Sequence, residues 1–272
     1  MGLVMMKKIL ILSIIAMMSV TLFSSQLVNA SSPLDLTGVN NFAILANTYT
    51  NADATTVLHG DLGYRVPPTP TPPTVTGATI AFPDPAYIAA ETKQATLIAN
   101  ANAEACTLTI TQATVLDGMS PIAPGVYCFT GAVSINSVVT LDGPGQHIFI
   151  IGGALNTVAG SKVKLTGGAK SDDVFWVPVG GTTLGAESTF AGNLMSDAAI
   201  TLLDHVTMKG RILSDGAVTT GMSDKIMPSK GDDTIQSIPD FPFSFSLVIM
   251  FVAVAAVYMG VRQKMIPGFK SF

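Results

Sequence analysis

Charge is scarce in this chain. Acidic and basic residues together make 12% of it, and histidine occurs three times. Without a basic patch there is nothing to neutralise a phosphate backbone, which argues against nucleic acid as a partner. His59, His147 and His205 are scattered and have no evident acid or nucleophile beside them, so each reads as a structural or exposed residue. Nucleophile and phosphate-loop motifs are missing, and Gly152-Gly153 and Gly167-Gly168 read as turns. Cysteine is almost absent. The spacing of Cys106 and Cys128 fits no metal signature. In an oxidising compartment the pair favours a disulfide worth roughly 3 kcal/mol, with two free buried thiols as the alternative.

What is present is repetition. Between residues 131 and 226 a short pattern returns five times: Ala132-Val133-Ser134-Ile135, Ala154-Leu155-Asn156-Thr157, Gly181-Thr182-Thr183-Leu184, Ala199-Ile200-Thr201-Leu202 and Ala217-Val218-Thr219-Thr220. The intervals are 22, 27, 18 and 18 residues. On a strand, alternate side chains point to opposite faces, so the second and fourth residues go inward while the small residue and the Ser, Asn or Thr go outward. A period near 18 with a strand in each copy marks a solenoid with about three short strands per coil. The other two sides are legible as well. One is bulky, with Ile148-Phe149-Ile150-Ile151 and Val174-Phe175-Trp176-Val177 followed by Leu194-Met195 and Ile212-Leu213. The last holds Val163-Lys164-Leu165, Ser188-Thr189-Phe190 and Val206-Thr207-Met208, with Lys164, Thr189 and Thr207 outward.

The ends of the chain differ from its middle. Lys7 and Lys8 precede an apolar run over residues 9–23, and small residues up to Ala30 offer a cleavage site, the pattern of a secretory signal peptide over residues 1–30. Residues 241–261 carry no charge and are long enough to cross a bilayer, and Arg262, Lys264 and Lys270 follow them. By the positive-inside rule, residues 262–272 form a cytoplasmic tail and everything between the two apolar segments is outside the cell. A sorting signal that is later clipped is the alternative to a retained helix. Residues 230–240 are polar with Gly and Pro, a short stalk. From residue 31 to residue 240 there are nine basic and eighteen acidic side chains, a net charge of −9. Residues 31–229 suffice for one domain with a continuous core.

The stretch before the repeats is different again. Phe42-Ala43-Ile44-Leu45, Thr48-Tyr49-Thr50 and residues 55–63 read as one coil detached from the others. Residues 67–73 hold five prolines, which forbid a central strand and suggest an extended exposed loop. Residues 85–105 turn Ala-rich, with Tyr87, Ala90, Ala95, Ile98 and Ala101 or Ala105 near helical spacing. One helix of about twenty residues is expected, capped by Asp84 with Pro85 at its first position. Residues 66–105 thus form a cap loop and a flanking helix.

Eight short pieces, in order, carry a resemblance. Phe42-Ala43-Ile44-Leu45, Gly60-Asp61-Leu62-Gly63, Pro124-Gly125-Val126-Tyr127, residues 173–177, Thr183-Leu184-Gly185, Ser188-Thr189-Phe190, Gly210-Arg211 and Gly216-Ala217-Val218-Thr219 look like the secreted microbial ice-binding-like family over residues 36–228. The resemblance implies an all-β fold with one long helix: a discontinuous, right-handed, triangular β-solenoid flanked by an α-helix. It also implies ice as ligand, bound on one flat side rich in Thr, Ser, Ala and Gly. In that family the detached first coil packs on the last repeats, which would set Thr48 and Thr50 in the same files as Thr201 and Thr219. The chain departs from the pattern in several places. Ser134 and Asn156 replace Thr, Tyr49 stands where a smaller apolar residue is usual, the insertion between Asn156 and Thr183 is long, and Val158 and Leu203 interrupt the outer edge.

The expected site is therefore Thr48, Thr50, Ser134, Asn156, Thr183, Thr201, Thr219, Ala199 and Ala217, with ice or ordered water as partner and no cofactor or metal. Rigid hydroxyls and methyls repeating at the rung spacing can hold water in fixed positions, and Thr is stiff at χ1. Two other classes compete. A cell-surface adhesin binding glycan or another surface would suit a membrane tether equally well. A polysaccharide-active enzyme needs clustered carboxylates; Asp172 and Asp173 are adjacent and would face opposite ways on a strand, and Asp197, Asp204, Asp215 and Asp224 fall at coil corners. The reading is non-enzymatic.

Overall fold

The computed structural model describes residues 34–229. The expected signal peptide at residues 1–30, the expected stalk, the expected membrane span at 241–261 and the expected tail at 262–272 all lie outside the described residues. Among the described residues no helix is long and apolar enough to cross a membrane.

The chain opens with β1 (Phe42–Asn51), β2 (Val57–Leu58), β3 (Asp61–Pro70), β4 (Thr74–Val75) and β5 (Thr79–Ala81), then forms the helix α1 (Pro85–Ala103). After it come β6 (Leu108–Ile110), β7 (Thr114–Val115), β8 (Gly125–Phe129), β9 (Val133–Ile135), β10 (Val138–Asp142), β11 (His147–Ile151), β12 (Leu155–Thr157) and β13 (Lys162–Thr166). Last are β14 (Val174–Pro178), β15 (Thr182–Leu184), β16 (Thr189–Ser196), β17 (Ile200–Leu202), β18 (Thr207–Thr220) and β19 (Lys225–Met227). Ladders are parallel, and each strand pairs with its equivalent one coil away, which makes three stacks.

The bulky stack runs β6-β8-β11-β14-β16-β18-β1-β3-β5. Its sequences are continuously apolar because both of its faces are covered, as in buried parallel sheets. Inward, Tyr127, Phe149 and Trp176 stack with ring centroids 5.5 and 4.1 Å apart, and Trp176 donates through Nε1 to Ala191 O at 3.0 Å. Outward, Ile148, Phe175, Val177, Met195 and Leu213 pack with α1 residues Tyr87, Ala90, Leu97 and Ala101. The helix starts where it should: Asp84 accepts from Ala86 N at 2.7 Å, with Pro85 first. Its buried stripe is Tyr87, Ala90, Gln94, Leu97 and Ala101, with Ile98 half-buried against the same cluster; Ala95, contrary to expectation, is exposed. An Ala-rich helix offers apolar residues all round, so spacing alone does not choose the face.

The discontinuity is real. β1, from the start of the chain, seats against β18 from its end, pairing Ile44 with Ile212 and Thr50 with Thr219. The detached coil, with its successors β3, β4 and β5, closes one end of the stack, while β6 begins the other. α1 carries the chain back between them. At 1.5 Å per residue it covers roughly 28 Å, most of the roughly 38 Å that eight rung steps require.

Two expectations change. The proline run is a loop only in its last part, residues 71–73: β3 continues to Pro70, with Thr50 opposite Thr69 and a register shift between Thr48 and Thr50. Proline is tolerated there because this part of β3 is an edge strand, whose outer side needs no ladder donor. On the third side, it is Lys162 and not Lys164 that stands in register with Thr189, Thr207 and Lys225.

Candidate functional site

The remaining stack is built from β7, β9, β12, β15, β17 and the last residues of β18, β1 and β3. Each rung contributes three or four residues in which apolar side chains go inward and short ones outward. Val133, Leu155, Leu184, Ile200, Leu202 and Val218 are all at most 1% exposed, and the residues between them face out. This alternation is the period of two imposed by the pleat. Burial of these apolar residues fixes the register, because a slip of one would turn the whole set to solvent.

Register follows directly. Ser134 pairs with Asn156, Asn156 with Thr183, Thr183 with Thr201, Thr201 with Thr219 and Thr219 with Thr50. Six short polar side chains from six successive rungs therefore make one file, with steps of about 4.8 Å. Asn156 is exposed, and the other five are half-buried. A second file, two residues earlier, holds Ala132, Ala154, Gly181, Ala199 and Ala217, and Thr48 joins it opposite Ala217. Ala199 and Ala217 are exposed. All nine residues expected from the sequence thus come together on one side, and none of their outward neighbours on these rungs is charged. The nearest acids stand at the corners, Asp197 and Asp215 along one and Glu187 and Asp204 along the other.

Sequence reasoning missed the ends of the first file. Val115, 45% exposed, stands opposite Ser134 and replaces a hydroxyl with an isopropyl group. At the far end the backbone ladder continues, with Thr50 in register with Thr69 inside the proline run. Val158 and Leu203, each 45% exposed, follow the inward Thr157 and Leu202 and form an apolar margin.

Tyr49 explains itself. It points inward and is fully buried, at the seam where β1 meets β18 without a covalent connection between neighbours. Its hydroxyl lies 2.8 Å from Thr220 Oγ1, which donates to Asn51 Oδ1 at 2.8 Å. Asn51 Nδ2 then donates to Asp53 O at 2.7 Å and Thr71 O at 2.9 Å. The larger ring needs a partner for its hydroxyl, and that is why the fourth residue of the last repeat is Thr and not Leu. Burial pushes the Tyr49 hydroxyl well above the usual tyrosine range. Just beyond, the buried Asp224 carboxylate accepts from Val206 N and Gly221 N, both at 2.8 Å, and fixes the turn after Thr220. Burial pushes it up to about 6.

Among the described residues, the other buried titratable groups make separate contacts at the corners and in the core. Asp172 and Asp173 lie in a 3-10 turn, not on a strand, and Asp172 pairs with the fully buried Arg211 at 3.2 Å. Arg211 also donates to Asn193 Oδ1 at 2.6 Å and Asn40 O at 3.1 Å. Burial lowers the His147 pKa, and its Nε2 sits 3.2 Å from Ile122 O. Among the described residues no group of three or more His, Cys, Asp or Glu could hold a metal ion. Cys106 and Cys128 form a disulfide, with Cα atoms 5.8 Å apart, that ties the exit of α1 to β8.

The comparisons agree with this architecture. The ice-binding-like family pattern matches residues 32–224. An ice-binding protein of Nostoc sp. (strain HG1) is 30% identical over 222 residues, 78% of this chain and 80% of that protein. An ice-binding protein of Flavobacterium frigoris (strain PS1) is 31% identical over 113 residues, which span 41% of each chain. The crystal structure of the ice-binding protein of the Antarctic ascomycete Antarctomyces psychrotrophicus superposes with a TM-score of 0.67 at 30% identity, over 72% of this chain and 98% of that one. With the family pattern covering most of the sequence and the same solenoid underneath it, this chain belongs to the ice-binding-like family.

Proposed function

We propose that this protein binds ice through its flat side, using Thr48, Thr50, Ser134, Asn156, Thr183, Thr201, Thr219, Ala199 and Ala217. The observation that carries the reading is the register of six short polar side chains on six successive rungs, uncharged and bordered by a file of Ala and Gly. Water bridging such fixed groups bonds nearly as well as a direct partner at small entropic cost, so a layer ordered on the rungs can merge with a crystal. β-branched Thr fixes hydroxyl and methyl together before binding. A charged group would orient water around itself; the corners hold the charges instead. Because α1 packs on the bulky stack, it leaves the flat side open.

In this reading the protein is a non-enzymatic, right-handed triangular solenoid outside the cell. Its leader at residues 1–30 is removed, and the apolar segment 241–261 tethers it to the membrane. A tethered protein of this kind attaches a cell to ice or shapes ice at its surface. The experiment is accumulation of a fluorescent fusion of the exported protein on a growing ice crystal, with thermal hysteresis and recrystallisation measured alongside. A folded protein that stays in the liquid and fails both assays would shift the assignment to an adhesin for glycan.

A further inference from the structure

The third side of the solenoid carries a feature that ice binding does not use. Its outward residues are Lys162 and Lys164 on β13, Thr189 and Ala191 on β16, and Thr207 and Lys209 on β18. β16 presents only Thr189 and Ala191 between Lys162 and Lys164 on β13 and Lys209 on β18, so a trough about two rung steps wide, roughly 10 Å, runs along β16. It is deepened because β13 and β16 share only the pair Lys162 and Thr189 before β16 turns the corner at Gly192, φ 120°, while β10 and β13 stay paired over five residues. The resulting groove holds about 530 Å³; Val163, Phe190 and Ala191 lie beneath it, nearly buried, while half-buried Leu165 and Val138, 45% exposed, give it its apolar surface. Lys162 and Lys164 stand on one wall and Lys209 on the other, all exposed.

These three lysines are out of keeping with the rest of the exported chain, where six basic side chains face eighteen acidic ones. The ion pairs among the described residues are Arg65 with Glu91, Lys93 with Asp35 and Arg211 with Asp172. Among the described residues, none of the groove lysines has a carboxylate within 4 Å. Three cations without partners along an apolar trough are a surface complementary to a polyanion with an apolar body. We infer that this groove docks an acidic polysaccharide. Sugar rings present C–H faces that fit the floor, and a ribbon of uronate units puts carboxylates along alternate edges, toward lysines on both walls. An acidic peptide would instead need separate pockets for its side chains, which an open trough lacks. The flat side is a different side of the triangle, so a chain held this way leaves the proposed ice surface free.

The test uses the exported protein with alginate, a polyuronate, against dextran, which is neutral, and polyglutamate, an acidic peptide. Alginate binds at low ionic strength and weakens as salt rises from 50 to 200 mM, because the attraction is between exposed charges and is screened. Dextran does not bind, and polyglutamate binds at least tenfold more weakly than alginate. The combined Lys162→Gln, Lys164→Gln, Lys209→Gln protein loses at least tenfold in alginate affinity with its melting temperature unchanged, whereas Lys93→Gln keeps full affinity. Undiminished binding by the triple variant, equal affinity for polyglutamate, or no alginate binding at low salt would each overturn the inference.

Discussion

The seam between β1 and β18 gives the sharpest test of how the flat side is held. Elsewhere the rungs follow one another along the chain, but Thr219 and Thr50 lie on strands from opposite ends of the domain. Three buried polar residues stand beneath them. Thr220→Val leaves two buried groups without partners, the Tyr49 hydroxyl and Asn51 Oδ1. Each unsatisfied group costs about 1 to 3 kcal/mol, so the expected loss is roughly 2 to 6 kcal/mol. Tyr49→Phe removes one bond and leaves Thr220 still donating to Asn51, for about 1 kcal/mol. In the double variant only Asn51 Oδ1 is orphaned, because the tyrosine hydroxyl is already gone. The double should therefore cost less than the sum of the singles, by about 2 to 4 kcal/mol: one orphan fewer, and one bond counted in both singles. Denaturant melts of all four proteins close this cycle, and for a domain of this size each kcal/mol moves Tm by roughly 2 to 4 °C. Strictly additive losses would show that the three side chains do not act as one network and that the seam is held by its backbone ladder alone.

Other expectations follow from the same geometry. Thr201→Tyr or Thr219→Tyr should abolish ice binding while leaving Tm nearly unchanged, and Lys164→Tyr should leave ice binding intact; equal losses from all three in a thermal hysteresis assay would contradict the assignment of the face. Asp224 has a folded pKa raised from 3.8 to about 6 by burial, so between those values the folded state binds more protons than the unfolded one. Stability should fall as pH rises from about 4 to 6, and Asp224→Asn should flatten that slope in a Tm-versus-pH series; an upward slope from this residue would reverse the sign argued here. Reducing the Cys106–Cys128 bridge should cost about 3 kcal/mol by the loop-entropy account and free the exit of α1 from β8, seen as a lower Tm under reductant.

Much of this molecule can be read locally. The outward and inward positions of Ala199-Ile200-Thr201-Leu202 follow from strand periodicity, and the start of α1 follows from Asp84 and Pro85, because these depend on neighbours a few residues away. Other features resisted for physical reasons. Ala95 and Ile98 were as plausible a buried stripe as Gln94 and Leu97, since the helix is apolar on more than one face and only its partner stack decides. Five prolines in seven residues forbid a central strand but say nothing of an edge, and whether Thr69 lies at an edge depends on what β3 pairs with.

The sequence by itself determined that each coil has a bulky side, a side of small polar residues and a more ordinary third side. Those properties repeat with the coil and need no knowledge of what stacks on what. Only the tertiary structure decided that strands from the two ends of the chain share a ladder, that Tyr49 turns inward to Thr220, and that Lys162 lies level with Thr189 across a trough. Pairings between distant segments are selected by the burial and hydrogen bonding of the whole stack, and no stretch of the chain encodes them alone.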